Sequence, residues 1–301
     1  MLKRNLALFK DEHPEYQYLQ LIKDIVDTGS HEVGRNGKVM VIIGSSMYFP
    51  LSGNTVPLLT TKKVAWKTCL KELLWMIKGQ TDNSILTKQN CHIWSGNASR
   101  DFLDSRGLYD LSENDLGPIY GHQWRHFNAP YTNCHSDYAN KGVDQLANII
   151  ECLKDSSQRT SRRMIMSAWN PCQMGEMALP PCHILVQFNV TGGNKLSCCM
   201  YQRSGDVGLG VPFNIASYSF LTHLLAKHCG LTAHEFIYTI GNAHIYDDHV
   251  SSLVEQAART PYSFPQVNVE RKLDDISDYC LDDFTVSNYR YHSAIKMNMR
   301  V

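Results

Sequence analysis

The stretch PFNIASYSFLTHLLAKHCG, residues 212–230, constrains the fold more than any other. Proline opens it and glycine closes it, as in a helix, and its apolar residues run nearly all the way round. A helix without a polar face has to be covered on every side, so the rest of the chain must wrap it. The 301 residues suffice for that, since single cores grow to about 250–300 residues.

The covering elements can be read. HILVQFNV (183–190) and LSCCMYQRS (196–204) are β-type runs joined by TGGNK, an antiparallel hairpin pattern. RRMIMSAW (162–169) precedes them as a strand, and HEFIYTIGNAHIY (234–246) is the last clear one. KVMVIIGSSMYF (38–49) is apolar at both parities, which predicts a strand buried on both faces. PEYQYLQLIKDIVDTG (14–29) gathers Tyr18, Leu21, Ile22, Ile25 and Val26 on one helical face. VAWKTCLKELLWMIKG (64–79) and DQLANIIECLKD (144–155) are further helices. From about 80 to 143 glycine, asparagine and aromatics show no period, and so irregular a span in a compact domain marks a functional surface. No repeat, low-complexity stretch or Pro/Ser-rich linker interrupts the chain, so the expectation is one α/β domain over 1–301.

Equal numbers of basic and acidic residues, 29 each, remove any whole-molecule attraction to nucleic acid or anionic membrane. No apolar run reaches the roughly 20 residues of a membrane span, and the start, MLKRNLALFKDEHPE, is too short in apolar residues for a signal core. The 10 cysteines are scattered through apolar segments, which favours a reducing cytoplasm, or the nucleus, over a disulfide framework. HFNAPYTNCH (126–135) and HIYDDH (244–249) bring His and Cys near each other, but without a CxxC pair or an HExxH helix no metal is expected.

MALPPCHILVQF (177–188) mounts Cys182 behind two prolines at the start of a strand. A thiol beside a cation is a strong nucleophile; an inert buried cysteine fits the same motif. His183 is next in sequence but points to the opposite face of a strand, whereas Arg203, near the end of the paired strand, can come close. The segment YQRSGDVGLGVPFNIASY (201–218) then offers an Arg203–Ser204 pair suited to a phosphate. It also offers Asp206, and Asn214, whose amide matches the N3–H and O4 edge of uracil.

These residues, with PLLTTKK (57–63), KELLWMIKG (71–79), DLGPIYGHQWRHF (115–127), GVDQL (142–146), RRMIMSAWNP (162–171), GNAHIYDDH (241–249) and the terminal IKMNMRV, resemble the thymidylate synthase family over nearly the whole chain after about residue 12. The resemblance implies a single domain built on a large mixed, mainly antiparallel sheet flanked by helices, and a homodimer formed through that sheet. About residues 1–12 would be a flexible tail and about 293–301 a mobile closure segment. It implies reductive methylation of dUMP to dTMP, with 5,10-methylenetetrahydrofolate as donor of one carbon and a hydride, and no metal. Cys182 would add to C6 of the uracil, and Glu72 would act as acid/base through water. Tyr120 and His183 would belong to the water network that handles the C5 proton. Asn214 would read the base, and His244 with Tyr246 would hold the ribose. The phosphate would meet Arg35, Arg203 and Ser204 of one subunit and Arg162 and Arg163 of the other. The folate would stack on Ile93, Trp94, Leu209 and Phe213, with Asp206 and Asn97 on the pterin, Lys62 near the glutamate tail and the Val301 segment closing over it.

Several positions depart from the family's usual pattern. The loop around Arg35 reads GRNGKV where DRTGTG is usual; Ser95, Ser161 and Asn242 each stand for an aspartate; Lys63 stands for an arginine, YRYHSAIKM lacks NPHP, and Arg300 replaces an alanine. They bear on loop order and closure, and keep open a catalytically weak nucleotide- or folate-binding homologue. A pyrimidine-nucleotide hydroxymethylase is the other alternative, against which Asn214 and Trp94 both speak.

Overall fold

The computed structural model describes residues 12–34 and 36–299. Arg35, Arg300, Val301 and all but the last position of the expected tail lie outside them. In chain order the elements are α1 (Tyr16–Thr28), β1 (Ser30–Gly34), β2 (Gly37–Pro50), α2 (Trp66–Ile77), α3 (Asn83–Thr87), α4 (Arg100–Ser105), α5 (Tyr120–His126) and α6 (Gln145–Lys154). Next come β3 (Ile165–Ser167), β4 (His183–Thr191), β5 (Lys195–Asp206), α7 (Gly210–Cys229), β6 (Thr232–Tyr246), α8 (Val250–Ala257), β7 (Gln266–Val269) and β8 (Phe284–Ser287).

One six-stranded sheet runs β1-β2-β6-β5-β4-β3. Only β5 and β6 are parallel; the other neighbours are antiparallel, the mixed α/β arrangement expected. A parallel pair needs a crossover, and α7 supplies it. The apolar helix is accordingly central, with Ile215, Phe220, Leu221, Leu224 and Leu225 fully buried, and Gly230 closes it in the left-handed conformation at φ 70°. α2 packs on α7, while α1 packs on β2 and α8.

The sheet is covered on one face. Val186, Phe188 and Val190 of β4 and Leu196, Cys198 and Met200 of β5 are buried, whereas the alternate residues Leu185 and Tyr201 are exposed. In β2, Val39, Val41, Met47 and Phe49 are buried while Lys38 and Ser46 are exposed. Within one chain the strand is therefore buried on one face only, and among the described residues no second layer covers its outer side. The 162–169 strand shrinks to β3, because Ser161 Oγ accepts the Arg163 N–H at 3.2 Å in a turn that starts the edge. The irregular 80–143 span holds three short helices. Two have side-chain caps, Asp82 accepting from Ser84 and Ser99 from Phe102.

Candidate active site

The inward alternation of the two parallel strands slips by one position near their ends. In β5 burial passes from Gln202 to Gly205, and in β6 from Ile240 to Ala243, leaving Arg203 with Ser204 and Gly241 with Asn242 as successive unburied pairs. Gly241 permits the slip, since a Cβ there would lie 2.6 Å from Tyr201 Oη. Beyond it Ser204, Asp206, Asn242, His244 and Tyr246 turn into a half-open cleft of about 950 Å3 that also contains Cys182 and Arg203.

Arg203 is tied to the mount that carries the thiol. Its Nε donates to Pro181 O at 2.7 Å, Nη2 to Pro180 O at 3.0 Å, and its backbone N–H to Cys182 O at 2.8 Å. Nη2 then lies 3.8 Å from Cys182 Sγ, so positive charge stands where a thiolate would develop. The Cys182 N–H donates to Tyr120 Oη at 2.7 Å. His183 points the other way: its ring stacks on Tyr120 at 4.1 Å and Nδ1 is 2.5 Å from Tyr218 Oη. Burial pushes this imidazole down to about 3, so it is neutral at ordinary pH and a weak proton acceptor.

Glu72 sits on the α2 face turned toward the irregular span, and Trp94 Nε1 donates to its Oε1 at 2.7 Å. Burial raises the carboxyl to about 7, with the Trp94 bond pulling the other way, which is the range useful to an acid/base group at neutral pH. The Trp94 and Tyr120 rings lie 6.0 Å apart, linking Glu72 to the Cys182 mount. Asn97 is buried and Ile93 packs on the core.

On the other side Asn214 Nδ2 donates to Gln202 Oε1 at 2.6 Å, and the same oxygen accepts Tyr238 Oη–H at 2.7 Å. The Gln202 amide nitrogen donates to Ser204 O at 2.7 Å, which fixes the glutamine and through it the direction in which Asn214 presents its oxygen. Asp206 Oδ1 accepts the N–H groups of Gly208 at 2.8 Å and Leu209 at 3.4 Å, at the turn that leads to Leu209 and Phe213 on α7. His249, buried behind it, has Nδ1 4.0 Å from Asp206 Oδ1 and donates through Nε2 to Asn298 O at 2.9 Å.

Lys62, expected near the glutamate tail, lies beneath the turn that follows β5. It is buried and donates to the Gly208 carbonyl; desolvation lowers its ammonium to about 8 while Asp206 opposes the shift. Arg162 and Arg163 are exposed just before β3 and do not line the cleft of their own chain. Arg35 and Val301 lie outside the described residues. Among the departures, Ser95 Oγ is buried without a hydrogen-bond partner among the described residues, and Asn242 Oδ1 lies 3.1 Å from His244 Nδ1. Sequence reading missed Gln202 and His249. For Gln202 the signal was its place one residue before Arg203 at an inward strand parity; for His249 it was its place at the end of HIYDDH (244–249).

A thiol under a guanidinium, with a near-neutral carboxyl a few side chains away, is the equipment of covalent nucleophilic catalysis with a separate proton handler. The chain belongs to the thymidylate synthase family, whose model matches residues 16–301. It is 50% identical over 290 residues to "Thymidylate synthase 1/2" of Encephalitozoon cuniculi, covering 95% of this chain and 97% of that relative. It is 52% identical over 288 residues to the "Bifunctional dihydrofolate reductase-thymidylate synthase" of Plasmodium chabaudi and 48% identical over 292 to that of Zea mays. The chain spans 95% and 97% of itself in these matches but only about half the length of those bifunctional relatives, 49% and 55%.

Proposed function

We propose that this protein converts dUMP to dTMP by reductive methylation. The observation that carries the reading is the 3.8 Å approach of Arg203 Nη2 to Cys182 Sγ in a cleft that His244 and Tyr246 also line. Cys182 adds to C6 of the uracil and the electron pair moves to C5 and O4. Asn214, held by Gln202, donates to or accepts from the O4 and N3–H edge, and Arg203 and Ser204 bind the phosphate at roughly 1.5–3 kcal/mol per charge-assisted hydrogen bond. Glu72, titrating near 7, moves protons at O4 and toward the C5 hydrogen with Tyr120 and His183 ordering water.

The co-substrate 5,10-methylenetetrahydrofolate supplies the one-carbon unit and the hydride. Residues suited to it are present: Ile93, Trp94, Leu209 and Phe213 are the apolar wall, and Asp206 and Asn97 are the polar partners for a pterin. Trp94 shields the adduct from water, and Asn214 is an amide where a cytosine reader would want a carboxylate, so hydroxymethylation is the weaker reading. The weak-homologue reading has only the departures behind it, set against a complete Cys182, Arg203, Glu72 and Asn214 set.

Homodimerisation through the sheet is supported by the uncovered outer face with Leu185 and Tyr201, and by Arg162 and Arg163 standing outside their own cleft. A partner's copies of these arginines would complete the phosphate site. A reducing cytoplasm, or the nucleus, suits a protein with 10 cysteines, one of them the nucleophile.

The test is release of tritium from [5-3H]dUMP with the folate present. Release with equimolar dihydrofolate supports the proposal; release without dihydrofolate indicates hydroxymethylation, and no release rejects an enzyme of either kind.

A further inference from the structure

Away from the cleft, the loop before α6 folds back on the start of α3. One donor atom each of Asp82, Cys134 and His135 lies within 4.8 Å of the others. Cys134 Sγ and His135 Nε2 are 3.7 Å apart. A tetrahedral ion with a thiolate at about 2.3 Å and an imidazole at about 2.0 Å sets these two atoms about 3.5 Å from each other, so this edge already has the right length.

The donors are held from behind. Asp115 Oδ2 accepts the Cys134 N–H at 2.9 Å, and Asn133 Oδ1 accepts the His135 N–H at 2.9 Å. Asp115 Oδ1 is itself fixed by Tyr131 Oη–H at 2.6 Å and the Gly117 N–H at 2.9 Å. Asp82 caps α3, accepting from Ser84 N at 2.7 Å and Ser84 Oγ at 2.8 Å. Each of its oxygens keeps a further lone pair, because a carboxylate has about four acceptor sites.

The charge is one-sided. Asp82 and Asp115 face each other across an antiparallel bridge, and among the described residues neither has a Lys, Arg or His ion-pair partner. Two carboxylates beside a thiol and an imidazole, with no cation among the described ion pairs, form a mixed S, N, O donor set of the kind that zinc-like ions take and that magnesium or calcium do not.

We propose that Asp82, Cys134 and His135 bind a divalent ion of the zinc class, with water as the fourth ligand. His135 is exposed, which gives the ion an entry path, while Asp82 is buried. The ion fastens the 131–138 loop to the start of α3 and to the turn before α5, segments that run on to Trp94 and Tyr120. Its role is structural, and the site does not depend on the proposed reaction. The sequence could not show it, because Asp82 lies far from the Cys134–His135 pair along the chain.

Chelator-treated protein is titrated with Co2+ under reducing conditions, then challenged with Zn2+ in competition. The expected result is one ion per chain with tetrahedral d–d absorption and a thiolate-to-cobalt charge-transfer band, both displaced by Zn2+. The band disappears in Cys134→Ser and persists in Cys182→Ala, and His135→Ala weakens Zn2+ binding by at least about tenfold, as loss of a ligand should. Zn2+ also raises the unfolding temperature of the wild type but not of Cys134→Ser. A band that persists in Cys134→Ser, one that vanishes instead in Cys182→Ala, or no thiolate band at all overturns the proposal, whatever the enzyme's activity.

Discussion

Trp94 Nε1 donates to Glu72 Oε1 at 2.7 Å, and this single bond opposes the burial that lifts the carboxyl to a net value of about 7. Trp94→Phe removes the donor and leaves the desolvation, so the carboxyl rises further. The limb of the kcat–pH profile that titrates near 7 is expected to move to higher pH; movement to lower pH would contradict the assignment.

Glu72→Gln is expected to lower kcat by about 10²–10⁴-fold, the usual worth of a general acid/base. It should also alter the pH dependence of stability. A carboxyl whose value rises from 4.5 to about 7 on folding favours the fold while protonated. Its contribution is full below about 4.5 and is lost as pH climbs through 7. Denaturant unfolding of Glu72→Gln should therefore lack the decline in stability that the wild type shows over that window.

Cys182→Ala should abolish turnover while nucleotide binding, measured calorimetrically, persists, because Arg203 keeps its contacts to the Pro180 and Pro181 carbonyls. Appreciable residual turnover would refute the nucleophile assignment.

Arg162→Glu and Cys182→Ala chains, each inactive alone, should regain activity when mixed, since one of the two clefts in a heterodimer then has an intact thiol and an intact partner arginine. Heterodimers that form and remain inactive would rule out a shared phosphate site.

Gln202→Leu keeps bulk at an inward position but strands the Asn214 amide and the Tyr238 hydroxyl. The expected cost is about 1–3 kcal/mol, seen as a higher KM for dUMP and as weaker discrimination between uracil and cytosine nucleotides. Unchanged discrimination would mean that Asn214 is oriented by something else.

Side-chain pattern along the chain made part of the fold legible. α7, the β4–β5 hairpin and β6 stand out because their apolar residues or turns have a period. β1 does not, since all five of its residues are exposed and it joins the sheet by main-chain pairing to β2. β7 and β8 are four-residue strands, too short to show an alternation. At the site, Cys182 and Arg203 could be paired in advance because the hairpin register sets His183 opposite Gln202. The raised carboxyl of Glu72 follows from its burial on the apolar α2, whereas the tryptophan that tempers it arrives from the aperiodic span and could not be placed beside it from the sequence. The burial of Lys62, one of two adjacent lysines, could not be read from the sequence, because the turn after β5 that covers it is far along the chain.

The Arg203 guanidinium meets two proline carbonyls and the sulfur at once, using the several directed N–H groups of a planar fork. A lysine would carry the same charge on one rotating head and could not satisfy both carbonyls from the side while facing the thiol. The position is thus closed to the commonest neutral exchange between basic residues. A lysine in its place would keep the charge of the site and lose the brace that aims the two prolines and the thiol together.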